Sequence, residues 1–178
     1  MESVLVSACL MGRPVRFDGA AKPVVGLTGD GDDHAPGAIL ARWRSEGRAV
    51  VYCPEVGGGL GVPRPPAEIE NAAGARAVLD GTARIVTPQG VDVTRAYLAG
   101  AHAALETARS AGVRVAVVKE SSPSCGLRQV YDGTFAGKTV SGPGVTTRLL
   151  LDHGIAVYTE RDIPAAQAHL TALEQGGP

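Results

Sequence analysis

Three cysteines are the residues of this 178-residue chain that are best suited to metal or nucleophilic chemistry. Cys9, Cys53 and Cys125 lie far apart, and no two of them form a Cys-x-x-Cys pair. The spacing therefore indicates neither a zinc ribbon nor a thioredoxin-like motif. Taken alone, it favours three unrelated cysteines that are packed in or near the core.

Charged residues follow the first two cysteines closely in sequence. Arg16 and Asp18 come shortly after Cys9, and Glu55 lies two residues after Cys53. A carboxylate next to a thiol site could act as a general base, and the charges after Cys9 could line a pocket for a substrate. Solvated loop charges and surface ion pairs are the competing interpretation.

Small residues dominate the loops near the second and third cysteines. Three glycines at 57–59 could let backbone N–H groups turn inward and approach a ligand closely. Cys125 lies in the segment ESSPSCG, which also supplies the hydroxyl groups of Ser121, Ser122 and Ser124. Ordinary turn chemistry explains either loop by itself, because Gly, Pro and Ser are common turn residues.

Four short apolar runs followed by turn residues predict β-strands. They are SVLVSA (3–8), AVVYC (49–53), RVAVVK (114–119) and IAVYT (155–159). Helical periodicity and terminal glycines predict helices at 36–47, 92–112, 144–154 and 162–174. This alternation predicts one α/β domain over residues 1–178, a Rossmann-like, mostly parallel, three-layer sheet with helices on both faces. The segment 81–91 is predicted to be a short hairpin or strand insert, and the end of the chain a frayed tail.

The predicted fold changes the interpretation of the cysteines. Cys9 lies just past the first strand, Cys53 ends the second, and Cys125 lies in the loop after the third. Parallel strands end at the same edge of a sheet, and ligand sites form in the crevice outside that edge. The sequence therefore predicts that the three thiols share one site.

Three thiolates without a fourth cysteine leave one ligand position open. A structural zinc site usually has four protein ligands. Surface or packing roles are the simpler explanation for the histidines at positions 34, 102, 153 and 169. Thiolates suit iron–sulfur chemistry, and a 4Fe–4S cluster on three cysteines would keep one iron free to bind substrate as a Lewis acid. A non-catalytic iron–sulfur sensor or a metal-storage protein is the alternative.

Charge and composition narrow the choice of partners. The formal net charge is −1, which provides no broad electrostatic footprint for nucleic acid or membranes. No apolar run has the length of a membrane span, and the N-terminus lacks a signal-peptide pattern. We therefore expect a small-molecule substrate and a cytoplasmic protein, in a compartment that keeps thiols reduced.

Five segments resemble the motifs of a known family. They are SACLMGRPVRFDG, YCPEVGGGLGVPRPPAE, KESSPSCG, YDGTFAG and GPGVTTRLLLDHGIAVYTE. In this order they are similar to the motifs of the small three-cysteine proteins typified by thiouracil desulfurases, from about residue 3 to about residue 160. The chain departs from the family pattern at Phe17, where tyrosine is common, at Thr147, where alanine is common, and in the acidic loop LTGDGDDHAPG.

The resemblance implies a cofactor and a reaction. Cys9, Cys53 and Cys125 would hold a 4Fe–4S cluster whose fourth iron is not bound by protein. The reaction would be a non-redox, lyase-like removal of sulfur from a thiolated pyrimidine such as 2-thiouracil, giving the oxo base and hydrogen sulfide. Glu55 and Ser122 match the glutamate and the serine that the family has beside the cluster.

Thiocarbonyl chemistry suggests roles for these residues. A soft thiocarbonyl sulfur would bind the open iron, and the adjacent ring carbon would then accept water. Glu55 is expected to activate that water, unless it caps the following turn or pairs with an arginine such as Arg64. Ser122 is expected to bind the water or a ring carbonyl, with Ser121 and Ser124 as rivals and a plain turn hydroxyl as the alternative.

Overall fold

The computed structural model describes residues 1–27 and 32–177. Within these residues, the strands are β1 (Val4–Ser7), β2 (Ala49–Tyr52), β3 (Glu68–Ile69), β4 (Ile85–Val86), β5 (Val115–Val118), β6 (Gln129–Tyr131), β7 (Thr139–Ser141) and β8 (Ala156–Thr159). The α-helices are α1 (Pro36–Ser45), α2 (Pro54–Gly57), α3 (Gly74–Leu79), α4 (Thr94–Ser110), α5 (Val145–Asp152) and α6 (Ile163–Glu174).

The central sheet contains four parallel strands in the order β2-β1-β5-β8. The inner strands β1 and β5 are buried at every residue, whereas β2 is half-buried throughout and β8 at every second residue. Inner parallel strands are covered on both faces, which explains why β1 and β5 are continuous apolar runs in the sequence.

Helices cover both faces of this sheet. Val4 and Val6 of β1 pack in one core with residues of α1 and α6 such as Trp43 and Leu170. Leu5, which points to the other face, packs in a second core with residues of α4 and α5. This alternation along the strand confirms the predicted three-layer α/β fold.

The long predicted helices are all present, with ends that differ from the prediction by a few residues. The glycines expected to end three of them, Gly47, Gly112 and Gly154, have φ values of +70°, +64° and +76°. These left-handed conformations suit glycine and stop a helix. Among the described residues, no helix combines the length and the apolar character that crossing a membrane requires.

The shorter elements lie beyond what the sequence pattern predicts. The helices α2 and α3 have four and six residues, too few for a periodic signal. The hairpin of β6 and β7 also gives no clear strand pattern in the sequence, because its strands have only three residues each. The predicted insert at 81–91 is confirmed as a strand, since β4 pairs antiparallel with β3.

Two glycines of the run after Cys53 allow close packing. A Cβ on Gly58 would lie 2.0 Å from the carbonyl oxygen of Ala96 on α4, and one on Gly57 would lie 2.1 Å from the hydroxyl of Tyr52. Reciprocally, a Cβ on Gly100 of α4 would lie 1.9 Å from the carbonyl oxygen of Pro54. Gly58, directly after α2, and Gly100 on α4 therefore let the two helices lie directly against each other.

Candidate active site

A cavity of about 800 Å³ opens beyond the carboxyl ends of β1, β2 and β5. Cys9, Cys53 and Cys125 all line it, although they are remote in sequence. All three are free thiols; Cys125 is buried and the other two are half-buried. The sheet edge thus brings together the residues that the sequence placed at three strand ends.

The backbone holds the first two cysteines directly after their strands. Ala8 donates its N–H to the carbonyl of Tyr52 (2.9 Å), which ties the end of β1 to the end of β2. Cys53 precedes α2, and its carbonyl accepts the N–H of Gly57 (2.9 Å). The helix begins at Pro54, whose fixed φ suits the first helical position.

Side-chain hydrogen bonds shape the turn that carries Cys125. The hydroxyl oxygen of Ser122 accepts the N–H groups of Ser124 (3.1 Å) and Cys125 (3.2 Å). Thr147 of α5, a departure from the family pattern, donates its hydroxyl to the carbonyl of Cys125 (2.7 Å). A Cβ on Gly144 would lie 2.5 Å from the backbone of Ser124, so glycine allows the start of α5 to approach this turn.

Glu120 holds the same loop from its other side. The residue is 4% exposed, and its carboxylate accepts the N–H groups of Ser121 (3.0 Å), Leu127 (3.0 Å) and Arg128 (3.2 Å). These donors satisfy a charge that would otherwise be costly to bury. The sequence offers no signal for this role, because an acid beside a polar loop normally indicates a solvated charge.

Glu55 connects the three cysteine-bearing segments. Its Oε2 accepts hydrogen bonds from Nε (3.0 Å) and Nη2 (2.5 Å) of Arg64, and its Oε1 accepts the hydroxyl of Ser122 (3.1 Å). The same Nη2 donates to the carbonyl of Val15 (3.0 Å), in the segment that follows Cys9. The ion pair with Arg64, one of the sequence alternatives, is therefore present, while the side chains of both partners line the cavity.

Burial makes the thiols weak acids. Burial, followed by the nearby Cys53, raises the pKa of Cys9 to about 11. Burial also raises the pKa values of Cys53 and Cys125, and the charges of Glu55 and the other two thiolates raise the pKa of Cys125 further. Several thiolates in this cavity would therefore repel one another unless a cationic group were bound between them.

The donor set of the cavity consists of three thiols. Within residues 1–27 and 32–177, no three His, Cys, Asp or Glu side chains are arranged to hold a single metal ion. The three thiols line one cavity, and Cys125 lies close enough to the other two to interact with them electrostatically. Soft thiol ligands arranged around a space are what an iron–sulfur cluster requires.

Of the two charged residues after Cys9 that were expected to line a pocket, Arg16 lines the cavity and Asp18 does not. Arg16 lines the cavity, and its guanidinium carbon lies 5.5 Å from the ring centroid of Phe17. Asp18 lies on the surface with its side chain 42% exposed. It accepts hydrogen bonds from Arg16 (3.3 Å) and from the N–H of Ala20 (3.0 Å). Asp18 therefore orients Arg16 from outside the cavity.

The three serines of the Cys125 loop also differ in position. Ser121 lines the cavity at a φ of +67°, and its hydroxyl oxygen accepts the side-chain amide of Gln129 (3.1 Å). Ser122 also lines the cavity, and its hydroxyl donates to the carboxylate of Glu55. Ser124 is 1% exposed, and its hydroxyl bonds that of Thr146 (2.8 Å) in the interior between the loop and α5.

Two further residues complete the wall. Lys119 lines the cavity and forms an ion pair with Glu160, at the end of β8. Tyr97 of α4 also lines it and is 3% exposed; burial, followed by the charge of Glu55, raises its pKa. The sequence places Tyr97 on the apolar face of a helix, so it is indistinguishable from a core residue until α2 and α4 are packed.

Comparison with known proteins shows which family the chain belongs to. A model of the family described as 2-thiouracil desulfurase matches residues 4–162. The uncharacterized protein YbbK of Bacillus subtilis (strain 168) is 40% identical over 160 residues, which are 90% of this chain and 97% of that protein. A solved structure described as the 4Fe–4S-dependent thiouracil desulfidase TudS is 41% identical, with a TM-score of 0.82 over 96% of this chain and 99% of that chain. The chain belongs to the 2-thiouracil desulfurase family.

Proposed function

We propose that this protein is a 4Fe–4S-dependent desulfurase that removes sulfur from a thiolated pyrimidine such as 2-thiouracil. Water supplies the oxygen of the new carbonyl and both hydrogens of hydrogen sulfide, so no electrons are exchanged. Family membership and the likeness to TudS support the proposal. The observation that carries it is that all three cysteines of the chain line one cavity together with Glu55.

Cys9, Cys53 and Cys125 would hold the cluster through their sulfur atoms. Because the chain contains only these three cysteines, one of the four irons would have no protein thiolate. When bound in this way, the cluster supplies a soft Lewis acid for the thiocarbonyl sulfur. Burial dominates the raised pKa of Cys9, while the positive charges of Arg16 and Lys119 act in the opposite direction and favour its thiolate.

Glu55 acts as the general base. Its carboxylate accepts a proton from the water that attacks the ring carbon. Arg64 and Ser122 hold its two oxygen atoms, so the carboxylate is oriented before a substrate enters. The ion pair with Arg64 therefore has a positioning role in this proposal and does not compete with the base role.

Ser122 positions Glu55 and the turn of Cys125. Its hydroxyl hydrogen goes to Glu55 and its oxygen accepts two backbone N–H groups. Ser121, on the cavity wall, can donate its hydroxyl hydrogen to a ring carbonyl while its oxygen remains bonded to Gln129. Arg16 on the same wall would contact the polar edge of the pyrimidine.

We propose a free thiolated base as the substrate and the cytoplasm as the place of the reaction. The net charge of −1 supports a small molecule over nucleic acid, because nucleic-acid binding depends on clustered positive charge. A reducing compartment keeps three cavity thiols available for a metal cluster.

Anaerobic purification and a desulfuration assay test the proposal. The protein should be brown, carry about four irons and four sulfides per chain, and convert 2-thiouracil to uracil with release of one sulfide per base. A brown protein without turnover would indicate a sensor. A colourless protein that contains zinc would indicate metal storage. Either result would overturn the proposal.

A further inference from the structure

The loop between β6 and β7 forms one wall of the active-site cavity. With Tyr131 at the end of β6 it forms the motif YDGTFAG, and Tyr131, Phe135 and Gly137 line the cavity. The loop is built to hold one shape. Asp132 accepts hydrogen bonds from the N–H (2.9 Å) and the hydroxyl (2.6 Å) of Thr134.

Aromatic side chains are concentrated at this cavity. The chain has two phenylalanines and four tyrosines. Five of these six residues line the cavity: Phe17, Tyr52, Tyr97, Tyr131 and Phe135. Phe17 and Tyr131 are 39% and 37% exposed, so they are not core residues that reach the cavity by chance. A wall of aromatic rings suits a planar ligand, because ring faces stack on one another.

Phe135 has an unfavourable backbone conformation for its size. Its φ is +57°, in the left-handed region that bulky residues rarely adopt. Gly133 and Gly137 in the same loop have φ values of +90° and +72°, which glycine adopts without strain. A phenylalanine kept at such a position while facing a cavity is typical of a functional contact.

A buried carboxylate holds Phe135 in this conformation. Glu68 of β3 is 7% exposed, and its Oε2 accepts the N–H groups of Gly133 (2.9 Å) and Phe135 (3.0 Å). A Cβ on Gly133 would lie 2.5 Å from the carbonyl oxygen of Ile69, so the loop packs directly against the end of β3. Glu68, which also lines the cavity, uses this oxygen to hold the loop that presents Phe135.

The geometry points to Phe135 as a specificity-determining residue that contacts the flat face of the substrate ring, with Glu68 as its positioning residue. The inference rests on the proposed function and narrows the substrate class to thiolated bases with a planar, conjugated ring. A saturated ring is puckered and offers no such face, so it loses the contact with Phe135.

Competitive inhibition isolates this contact from the chemistry of sulfur removal. Uracil and dihydrouracil differ in ring planarity and are compared as inhibitors of sulfide release by the iron-loaded enzyme. For the wild type, the inhibition constant of uracil should be about tenfold lower than that of dihydrouracil. In Phe135→Gly the two constants should become nearly equal, and KM for 2-thiouracil should rise by about tenfold with little change in kcat.

Glycine is chosen because it adopts a positive φ without strain, so the thermal midpoint of Phe135→Gly should not fall. Ala72→Gly is the matched control. Ala72 has a φ of +52° and donates its N–H to the backbone carbonyl of Asp132 (3.0 Å) at the start of the same loop. It does not line the cavity, so its replacement should leave both inhibition constants unchanged. Glu68→Gln weakens the hold on the loop and should lower the preference for uracil while the iron content stays constant.

Two failures can be told apart. An unchanged preference for uracil in Phe135→Gly would overturn the inference and leave the proposed function intact. A wild-type protein that releases no sulfide would overturn the proposed function. Calorimetric titration of the same protein with uracil and dihydrouracil would then measure ring preference directly, and equal affinities would overturn the inference as well.

Discussion

At the scale of single residues, the contacts of Glu55 fit the general-base role that we propose for it. It lies two residues after Cys53, and its carboxylate is fixed at one oxygen by Arg64 and at the other by Ser122. The side chains of Glu55 and Arg64 are only 15% and 7% exposed. A fixed, water-shielded carboxylate at the cavity wall is suited to take a proton from an attacking water.

Replacing Glu55 by glutamine should lower kcat for sulfide release by about 100-fold or more. The amide retains the size of the side chain but cannot accept a proton at neutral pH. Because the variant leaves the buried Arg64 without its charged partner, the thermal midpoint and the iron content should be measured on the same preparation.

The chain offers a matched control for this change. Glu70 also accepts two hydrogen bonds from an arginine, Arg84, at 3.0 and 2.9 Å, one at each carboxylate oxygen, but it lies outside the cavity. Glu70→Gln should therefore leave kcat within about twofold of the wild type, because surface pairs contribute little. An iron-loaded Glu55→Gln enzyme with wild-type kcat would rule out the base role.

At the scale of elements, the position of α2 against α4 sets the position of Cys53 and Glu55. This four-residue helix depends on packing for its stability, since one turn is not stable alone. Its close approach to α4 requires glycine at positions 58 and 100, because a Cβ at either position would collide with a backbone carbonyl oxygen of the other segment. Gly58 is therefore a packing residue that acts on the site indirectly.

Gly58→Ala should move α2 away from α4 and so disturb the cysteine and the carboxylate together. The added Cβ would lie 2.0 Å from the carbonyl oxygen of Ala96. We expect the thermal midpoint to fall by roughly 5 °C and iron retention to decrease. In the matched control Gly61→Ala, the new Cβ would lie 4.0 Å from its nearest neighbour, the carbonyl oxygen of Pro63. Equal midpoints for the two variants would contradict this account.

At the scale of the whole molecule, the site depends on three segments that meet at one sheet edge. Two cores, one on each face of the sheet, hold β1, β2 and β5 in register. Neither core requires a cofactor, because a chain of this length buries most of its apolar surface by itself. We therefore expect the fold to survive the loss of the proposed cluster.

Replacing any one of Cys9, Cys53 and Cys125 by serine should lower the iron content per chain by more than half. Each thiol comes from a different loop, so neither of the remaining two can replace it. Far-UV circular dichroism should stay that of the wild type, because the sheet and its helices do not depend on the cluster. A variant that retains wild-type iron and its visible spectrum would show that its cysteine is not a ligand.

The central sheet and its long helices could be predicted because their signals are local. An apolar run such as 115–118 indicates a buried strand, and a glycine such as Gly112 indicates a helix end. The hairpin of β6 and β7 and the helices α2 and α3 could not be predicted, because they contain too few residues for a period. They take their structure from contacts with distant parts of the chain.

By itself, the sequence determined the parallel sheet, the strand ends that carry the three cysteines, and the motifs that resemble the family. Only the tertiary structure decided which polar side chains enter the interior and what they hold. Glu120 holds the Cys125 loop, Glu68 holds the loop of Phe135, and Arg64 joins Glu55 to the segment after Cys9. The physical reason is that a buried charge is stable only where other segments supply hydrogen-bond donors or acceptors for it. Which segments lie close enough to do so depends on the packing of the whole chain.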